Sequence, residues 1–136
     1  MKKVYPVIFT PDDDFVLVEV PDMEIFTQGT DLADAMEMAR DAIGLKGITL
    51  EDMKQELPEA SDLTEISLES SNFFEEGKTF LSLVDVDFAE YRKKVDNKMV
   101  RRNVTLPNWM NVAAEKAGLN VSKVLQEALK EKLNLA

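Results

Sequence analysis

The sequence predicts an α+β protein in two parts: an α+β domain over residues 1–96 and a strand–helix–helix unit over residues 97–136. In the first part, short β-rich runs separated by turn residues surround one apolar stripe with helical spacing. In the second part, one alternating run is followed by two such stripes. The charge divides at the same place, because residues 1–96 carry a net charge of −14 and residues 97–136 a net charge of +4. This asymmetry predicts two different kinds of partner.

The first domain is predicted to have the element order β-β-β-α-β. Its strands are predicted at residues 5–9, 15–20, 24–28 and 79–86. The helix is predicted to begin after Thr30 and to end at Gly44, because threonine favours the N-cap position and glycine the C-terminal end of a helix. The apolar stripe that is expected to face the sheet consists of Leu32, Ala35, Met36, Ala39 and Ile43.

The segment between this helix and the fourth strand is less regular. Thr49 followed by Asp52 has the pattern of a capping box, which predicts a brief second helix as far as Leu57. Residues 58–71 are polar and are predicted mainly as a loop. After the fourth strand, residues 87–95 predict a short helix that leads to a hinge at residues 96–97.

The second unit is predicted as a strand and two helices. An alternating strand covers residues 101–106, and Pro107 stops it and is expected at the first helical position. The first helix ends at Gly118, and Asn120 is a good cap for the second. A unit of this size is too small to bury a core alone, so we expect two copies to dimerise by pairing their strands into an antiparallel ribbon.

This order resembles the ribbon-helix-helix family of DNA-binding proteins. The residues that carry the resemblance are the alternating RNVTLP, the Gly-Leu-Asn turn and the helix SKVLQEAL. In that family the paired strands lie in the major groove of DNA, which admits a two-stranded ribbon. The resemblance implies base contacts by Arg101, Asn103 and Thr105. It implies phosphate contacts at the start of the second helix, by Asn120, Val121, Ser122 and Lys123. The dimer core would then contain Val104, Leu106, Trp109, Val124, Leu125 and Leu129.

A plainer interpretation of the strand remains open. Arg101, Asn103 and Thr105 are also the residue types found on the solvated face of an edge strand. Arg102 lies on the apolar side of the alternation, so the ribbon would begin near Asn103.

The first domain is similar to the N-terminal domain of HicB antitoxins. The likeness rests on YPVIF, on the Pro-Asp after the second strand and on the stretch VEVPDMEIFTQGTDLADAMEMARDAI. It implies a partial RNase H-like or double-stranded-RNA-binding-like α+β fold. The two resemblances together cover nearly the whole chain apart from residues 58–78. The chain departs from the family at Asp13–Asp14, where members often have a glycine pair, and at Glu24–Ile25, where they often have Gly-Cys.

The resemblance to HicB antitoxins implies a function. Such proteins bind and neutralise HicA, a small basic toxin that cleaves mRNA, and they repress their own operon by binding operator DNA. It implies a homodimer through the C-terminal domain, and a homotetramer if the front domains also pair. The carboxylates expected to face the toxin are Asp12, Asp13, Asp14, Glu19, Asp22 and Glu24. Each of them is alternatively an ordinary solvated carboxylate.

Composition excludes several classes of function. The chain has no cysteine and no histidine, so disulfides, thiol chemistry and histidine-activated nucleophiles are excluded. The missing cysteines fit a reducing cytoplasm, and we expect neither a signal peptide nor a membrane span. A two-metal phosphodiesterase is a second hypothesis. It is disfavoured because the adjacent carboxylates of residues 12–14 point in different directions and Glu19 stands alone in its strand. We therefore expect no enzyme activity, metal or cofactor.

A third hypothesis is a transcriptional regulator whose acidic front domain binds another ligand or protein. The predicted strand–helix–helix unit fits this regulator as well as an antitoxin. Only the resemblance of residues 1–96 to HicB antitoxins favours the antitoxin.

Overall fold

The first part of the chain folds around a four-stranded antiparallel sheet. In the computed structural model, which describes residues 2–135, the chain forms two compact units that divide between Lys98 and Met99. We call them the front unit and the C-terminal unit. The strands are β1 (Lys2–Pro11), β2 (Val16–Val20), β3 (Ile25–Gly29) and β4 (Phe80–Asp87), in the sheet order β3-β2-β1-β4. The four predicted strands are confirmed, and β1 is longer than predicted because it pairs with β4 from Lys2 onward.

The inner face of the sheet packs against one long helix, α1 (Leu32–Asp52). Side chains alternate between the two faces of a strand, so every second residue of the central strands points at this helix. The buried inner-face residues of the strands include Tyr5, Val7, Phe9, Val16, Val18, Val20, Val84 and Val86. From the predicted stripe, α1 contributes Ala35, Ala39 and Ile43 to this core, and Met36 packs at its margin. Leu32 was expected in the stripe but is exposed.

The start of α1 lies one residue later than predicted. Asp31 is the N-cap, because its carboxylate accepts a hydrogen bond from the Asp34 backbone N–H at 2.8 Å. The Asp34 carboxylate in turn accepts from the backbone N–H of Thr30, also at 2.8 Å. The Asp31 carboxylate satisfies one of the donors that a helix start leaves unpaired, and both carboxylates lie at the positive end of the helix dipole.

The helix continues through Gly44, so the predictions of its end there and of a separate second helix from Thr49 to Leu57 are wrong. Thr49 lies inside α1, where its hydroxyl donates to the Leu45 carbonyl at 2.7 Å. The glycines are contact points for a second helix. A Cβ at Gly44 would lie 2.6 Å from the ring of Tyr91, and one at Gly47 would lie 2.1 Å from the ring of Phe88. These glycines let two aromatic rings approach the α1 backbone.

Helix α2 (Phe88–Val95) supplies those rings and confirms the predicted short helix. The Tyr91 hydroxyl donates to Asp41 at 2.9 Å. Burial, with the hydrogen bond to Asp41, raises the pKa of Tyr91 to about 12. Arg92 binds the end of α1, donating to the Asp52 carboxylate at 2.8 Å and to the Ile48 carbonyl at 3.3 Å. Aromatic packing and charge together hold α2 on α1.

Residues 58–79, which we call the strap, connect the end of α1 with β4 across the outer face of the sheet. The strap contains two short 3₁₀ turns, Leu63–Glu65 and Leu68–Ser70, in the region predicted mainly as loop. At its start the Tyr5 hydroxyl donates to the Pro58 carbonyl at 2.8 Å. At its end the hydroxyls of Thr79 and Thr10 are 2.9 Å apart. The sheet is therefore covered by a helix on one face and by this segment on the other.

The C-terminal unit contains α3 (Asn108–Lys116) and α4 (Val121–Lys132), which confirms the two predicted helices. Pro107 is the N-cap of α3 and not its first helical residue. Gly118 has a φ of +66°, the left-handed conformation that ends helices. Asn120 caps α4 as predicted, because its side chain accepts from the Lys123 backbone N–H at 3.2 Å.

Candidate functional surfaces

The predicted acidic hairpin lies at the turn between β1 and β2. Residues 12–14 are exposed there, and the Asp12 backbone N–H donates to the Phe15 carbonyl at 2.7 Å. The hairpin is close to the end of the strap. The pKa of Lys78 is raised first by its hydrogen bond to Glu75 and then by the charges of Asp13 and Asp12. Hairpin and strap therefore contribute to one acidic end of the front unit.

Two of the predicted partner-binding carboxylates hold the strap in place. Glu19 accepts hydrogen bonds from the Ser71 hydroxyl at 2.8 Å and from the Asn72 backbone N–H at 3.2 Å. Asp22 accepts from the backbone N–H of Ser61 at 2.9 Å and also from its hydroxyl. Glu24, by contrast, is exposed in a tight turn with a φ of +53°. The structure thus gives Glu19 and Asp22 a structural role within the front unit.

The strap carries acidic residues that the sequence reasoning did not select. Residues 55–77 contain seven Asp or Glu and no Lys or Arg. Within the part of the chain that the structure describes, five of these carboxylates have no ion pair or hydrogen bond: Glu56, Glu59, Glu65, Glu69 and Glu76. The excess of acidic residues in this stretch is visible in the sequence. Because most of the segment was predicted as loop, the sequence did not indicate which way these side chains point.

The residues predicted to contact DNA bases lie in the irregular segment before α3. Arg101, Asn103 and Thr105 are exposed, and no strand is assigned over residues 101–106. A strand is defined by the hydrogen bonds of a ladder, and this segment has no partner strand within the single chain. The ribbon consequently stays a prediction that requires a second copy.

The residues predicted as the dimer core are also exposed in the single chain. Trp109 is 69% exposed and Val104 52% exposed, and Leu106, Val124, Leu125 and Leu129 are exposed as well. Among residues 99–135, Ala114 alone is partly buried and none is fully buried. These helices therefore have an apolar stripe but no core within one chain.

The start of α4 is arranged as the anion-binding prediction requires. Asn120 precedes the helix, and Val121, Ser122 and Lys123 form its first turn, with no acidic residue there. The first backbone N–H groups of a helix and its dipole attract anions. The geometry fits a phosphate contact, although the contact itself stays a prediction.

Neither a metal centre nor a membrane span is found in residues 2–135. No three carboxylates among these residues come together as a cation site. The two-metal phosphodiesterase hypothesis thus gains no support from the arrangement of side chains. None of the helices in the same residues is both long and apolar enough to cross a membrane.

Comparison with known proteins identifies the family. Residues 5–128 match the family described as HicB_like antitoxin of bacterial toxin-antitoxin system. A chain in a solved toxin–antitoxin complex from Streptococcus pneumoniae is 28% identical, with a TM-score of 0.60, and the alignment covers 97% of this chain and 99% of that chain. No curated protein gives a significant match.

Two solved antitoxins share the fold. The Burkholderia pseudomallei antitoxin HicB is 24% identical over 96% of both chains, with a TM-score of 0.51. The antitoxin HicB3 is 23% identical over 96% of this chain and 97% of its own, with a TM-score of 0.52. The antiparallel sheet and its helices are thus those of HicB structures. Since the family match spans nearly the whole chain, the protein belongs to the HicB-like antitoxins of bacterial toxin–antitoxin systems.

Proposed function

We propose that this antitoxin neutralises a HicA-type, mRNA-cleaving toxin through its front unit and represses its own operon through a dimeric ribbon-helix-helix C-terminal unit. The observation that carries the proposal is the division of charge between two compact units. The front unit, residues 1–98, has a net charge of −13, and the C-terminal unit, residues 99–136, has a net charge of +3. Both activities would take place in the cytoplasm, where operator DNA and mRNA are found.

The acidic front unit suits a basic, RNA-binding partner. An acidic surface attracts such a partner over a distance and competes with RNA for the same positive groups. The similarity to a chain from a toxin–antitoxin complex supports a toxin as this partner. The sheet with one long helix is compatible with the proposed partial RNase H-like fold, and we propose a binding role for it without catalysis.

The exposed stripe of the C-terminal unit supports dimerisation. Two helices without a fully buried residue are stable only if a second copy covers their apolar faces. In the proposed dimer, residues 101–106 of both copies pair as antiparallel strands. Val104 and Leu106 then enter the core together with the stripes of α3 and α4.

A tetramer would require the front units to pair as well. The edge strand β4 is poorly suited to this, because Arg40 donates to the Asp85 backbone carbonyl at 3.0 Å and Lys2 forms an ion pair with the Asp85 carboxylate at 3.2 Å. Charged side chains on an edge strand oppose pairing with another sheet. We therefore propose the homodimer as the basic assembly.

The opposite face of the ribbon would read DNA. Arginine can form two hydrogen bonds to guanine, asparagine can form two to adenine, and threonine can contact either base. Arg101, Asn103 and Thr105 are therefore suitable base contacts. The first turn of α4 would hold a phosphate and fix the register of the ribbon. Both contacts together account for repression by operator binding.

The toxin-binding half is tested by co-purification. We expect the tagged chain, co-expressed with the open reading frame next to its gene, to retain a small basic protein in stoichiometric amount at moderate salt. That protein should be toxic when it is expressed alone and harmless when the antitoxin is present. A chain that binds upstream DNA but retains no such partner would instead be a regulator with another ligand for its acidic unit.

The DNA-binding half is tested by substitutions on the ribbon. Arg101→Ala and Asn103→Ala should each weaken specific operator binding by about 1–3 kcal/mol while the dimer stays folded. Lys130→Ala is a matched control for Arg101→Ala, because it removes the same charge at the far end of α4. Titration of labelled operator at physiological salt measures the difference. An Arg101→Ala protein that binds like the Lys130→Ala control would show that the ribbon register is wrong.

A further inference from the structure

The strap exposes apolar side chains between unpaired carboxylates. Leu63 is 43% exposed and Phe74 39% exposed, and Phe26 of β3 is 51% exposed. The ring of Phe26 meets that of Phe73 edge-on, with 5.7 Å between the ring centroids. Exposed apolar groups rimmed by charge are typical of protein-binding surfaces, where aromatic residues contribute strongly to affinity.

The strap is held firmly on the sheet. Glu19 on the outer face accepts hydrogen bonds from Ser71 and Asn72. Asp22 in the adjoining turn accepts two hydrogen bonds from Ser61. A groove of about 270 Å³ remains between strap and sheet, with Ile8 and Ile66 among the residues that line it. A surface that is ordered before binding loses little conformational entropy when a partner arrives.

The charge of the strap selects the kind of partner. Residues 55–77 contain no positive side chain, and five of their seven acidic residues are unpaired in the described part of the chain. A second copy of the same acidic surface would be repelled. A basic protein would be attracted, and the one positive side chain of the strap, Lys78, is already paired with Glu75 at 3.2 Å.

We infer that the strap, with Leu63 and Phe74 and the nearby Phe26 of β3 as apolar contacts and Glu59, Glu65 and Glu69 as its unpaired carboxylates, is the surface that binds the small basic toxin. This inference rests on the proposed function and moves the main contact surface away from the hairpin at residues 12–14. Glu19 and Asp22 contribute indirectly, by holding the strap in the conformation that binds.

The charge contribution is tested with two triple variants of equal charge. The strap variant carries Glu59→Gln, Glu65→Gln and Glu69→Gln, and the hairpin variant carries Asp12→Asn, Asp13→Asn and Asp14→Asn. Both lower the negative charge by three, so long-range attraction changes by the same amount and only local contacts differ. Binding of the full chain to the purified product of the neighbouring open reading frame is measured by calorimetry. We expect the strap variant to lose affinity by about tenfold more than the hairpin variant.

The apolar contribution is tested with a second pair. Leu63→Gln should weaken binding by about tenfold, whereas Leu45→Gln should leave it unchanged. Leu45 is a suitable control because it is 54% exposed on α1, outside the strap. Both leucines are exposed, so neither change is expected to unfold the front unit, and circular dichroism verifies this.

The outcomes separate the inference from the function on which it rests. If the wild-type chain binds the toxin and the hairpin variant loses as much affinity as the strap variant or more, the strap is not the main contact surface. Unchanged binding by both triple variants would also overturn the inference while the antitoxin function stands. A wild-type chain that does not bind the product at all would overturn both.

Discussion

Valine in place of Gly47 is expected to destabilise the front unit strongly by forcing α2 away from α1. Even the Cβ atom alone would lie 2.1 Å from the Phe88 ring, which is itself 5% exposed and part of the core. Overpacking of this kind typically costs about 1–3 kcal/mol. The gain in helix propensity on replacing glycine is smaller, about 1 kcal/mol or less. The net effect should therefore be a lower free energy of unfolding, measured by chemical denaturation.

The matched control is Lys46→Val, one residue away on the exposed side of α1. It introduces the same β-branched side chain with no ring in its way, so its cost should be limited to helix propensity, about 0.5 kcal/mol. If the two variants unfolded at the same denaturant concentration, the close packing of Phe88 on α1 would not contribute to stability as the structure indicates.

A charge at Val104 is expected to abolish dimerisation of the C-terminal unit. In the proposed ribbon, Val104→Asp buries a carboxylate without a positive partner, which costs several kcal/mol. The dimer dissociation constant should rise by roughly a hundredfold or more, and operator binding should be lost with the dimer. Sedimentation equilibrium measures the first effect directly.

Thr105→Asp is the control variant, because Thr105 lies on the face of the predicted strand opposite to Val104. It adds the same charge but should leave the dimer intact while it weakens DNA binding, since a carboxylate is repelled by the phosphates. A Val104→Asp protein that stays dimeric, or a Thr105→Asp protein that becomes monomeric, would show that the core and DNA faces are assigned the wrong way round.

The elements that the sequence predicted well are those with local signals. Short β-rich runs separated by turn residues predicted the four strands, and the spacing of Ala35, Ala39 and Ile43 predicted the helix face. Asn120 and Gly118 predicted the boundary between α3 and α4, because caps act within one helical turn. These features depend only on residues close together in the chain.

The errors arose where distant residues decide the structure. Glycine usually indicates a helix end, but Gly44 and Gly47 lie inside α1 and contact Tyr91 and Phe88, which are 47 and 41 residues further along the chain. The strap shows no periodicity because it is held by a few side-chain hydrogen bonds to Glu19 and Asp22 and not by a ladder of its own. For the same reason, two predicted partner-binding carboxylates turned out to be engaged within the front unit.

The sequence by itself determined the division of charge between the two halves and the four strands of the front unit. Each of these follows from composition or from short-range patterns that can be counted along the chain. Only the tertiary structure decided that α1 runs unbroken to Asp52, that the strap covers the outer face of the sheet, and which acidic residues remain unpaired. The reason is physical: a side chain's partner is set by packing between segments distant in sequence, and no local pattern contains that information.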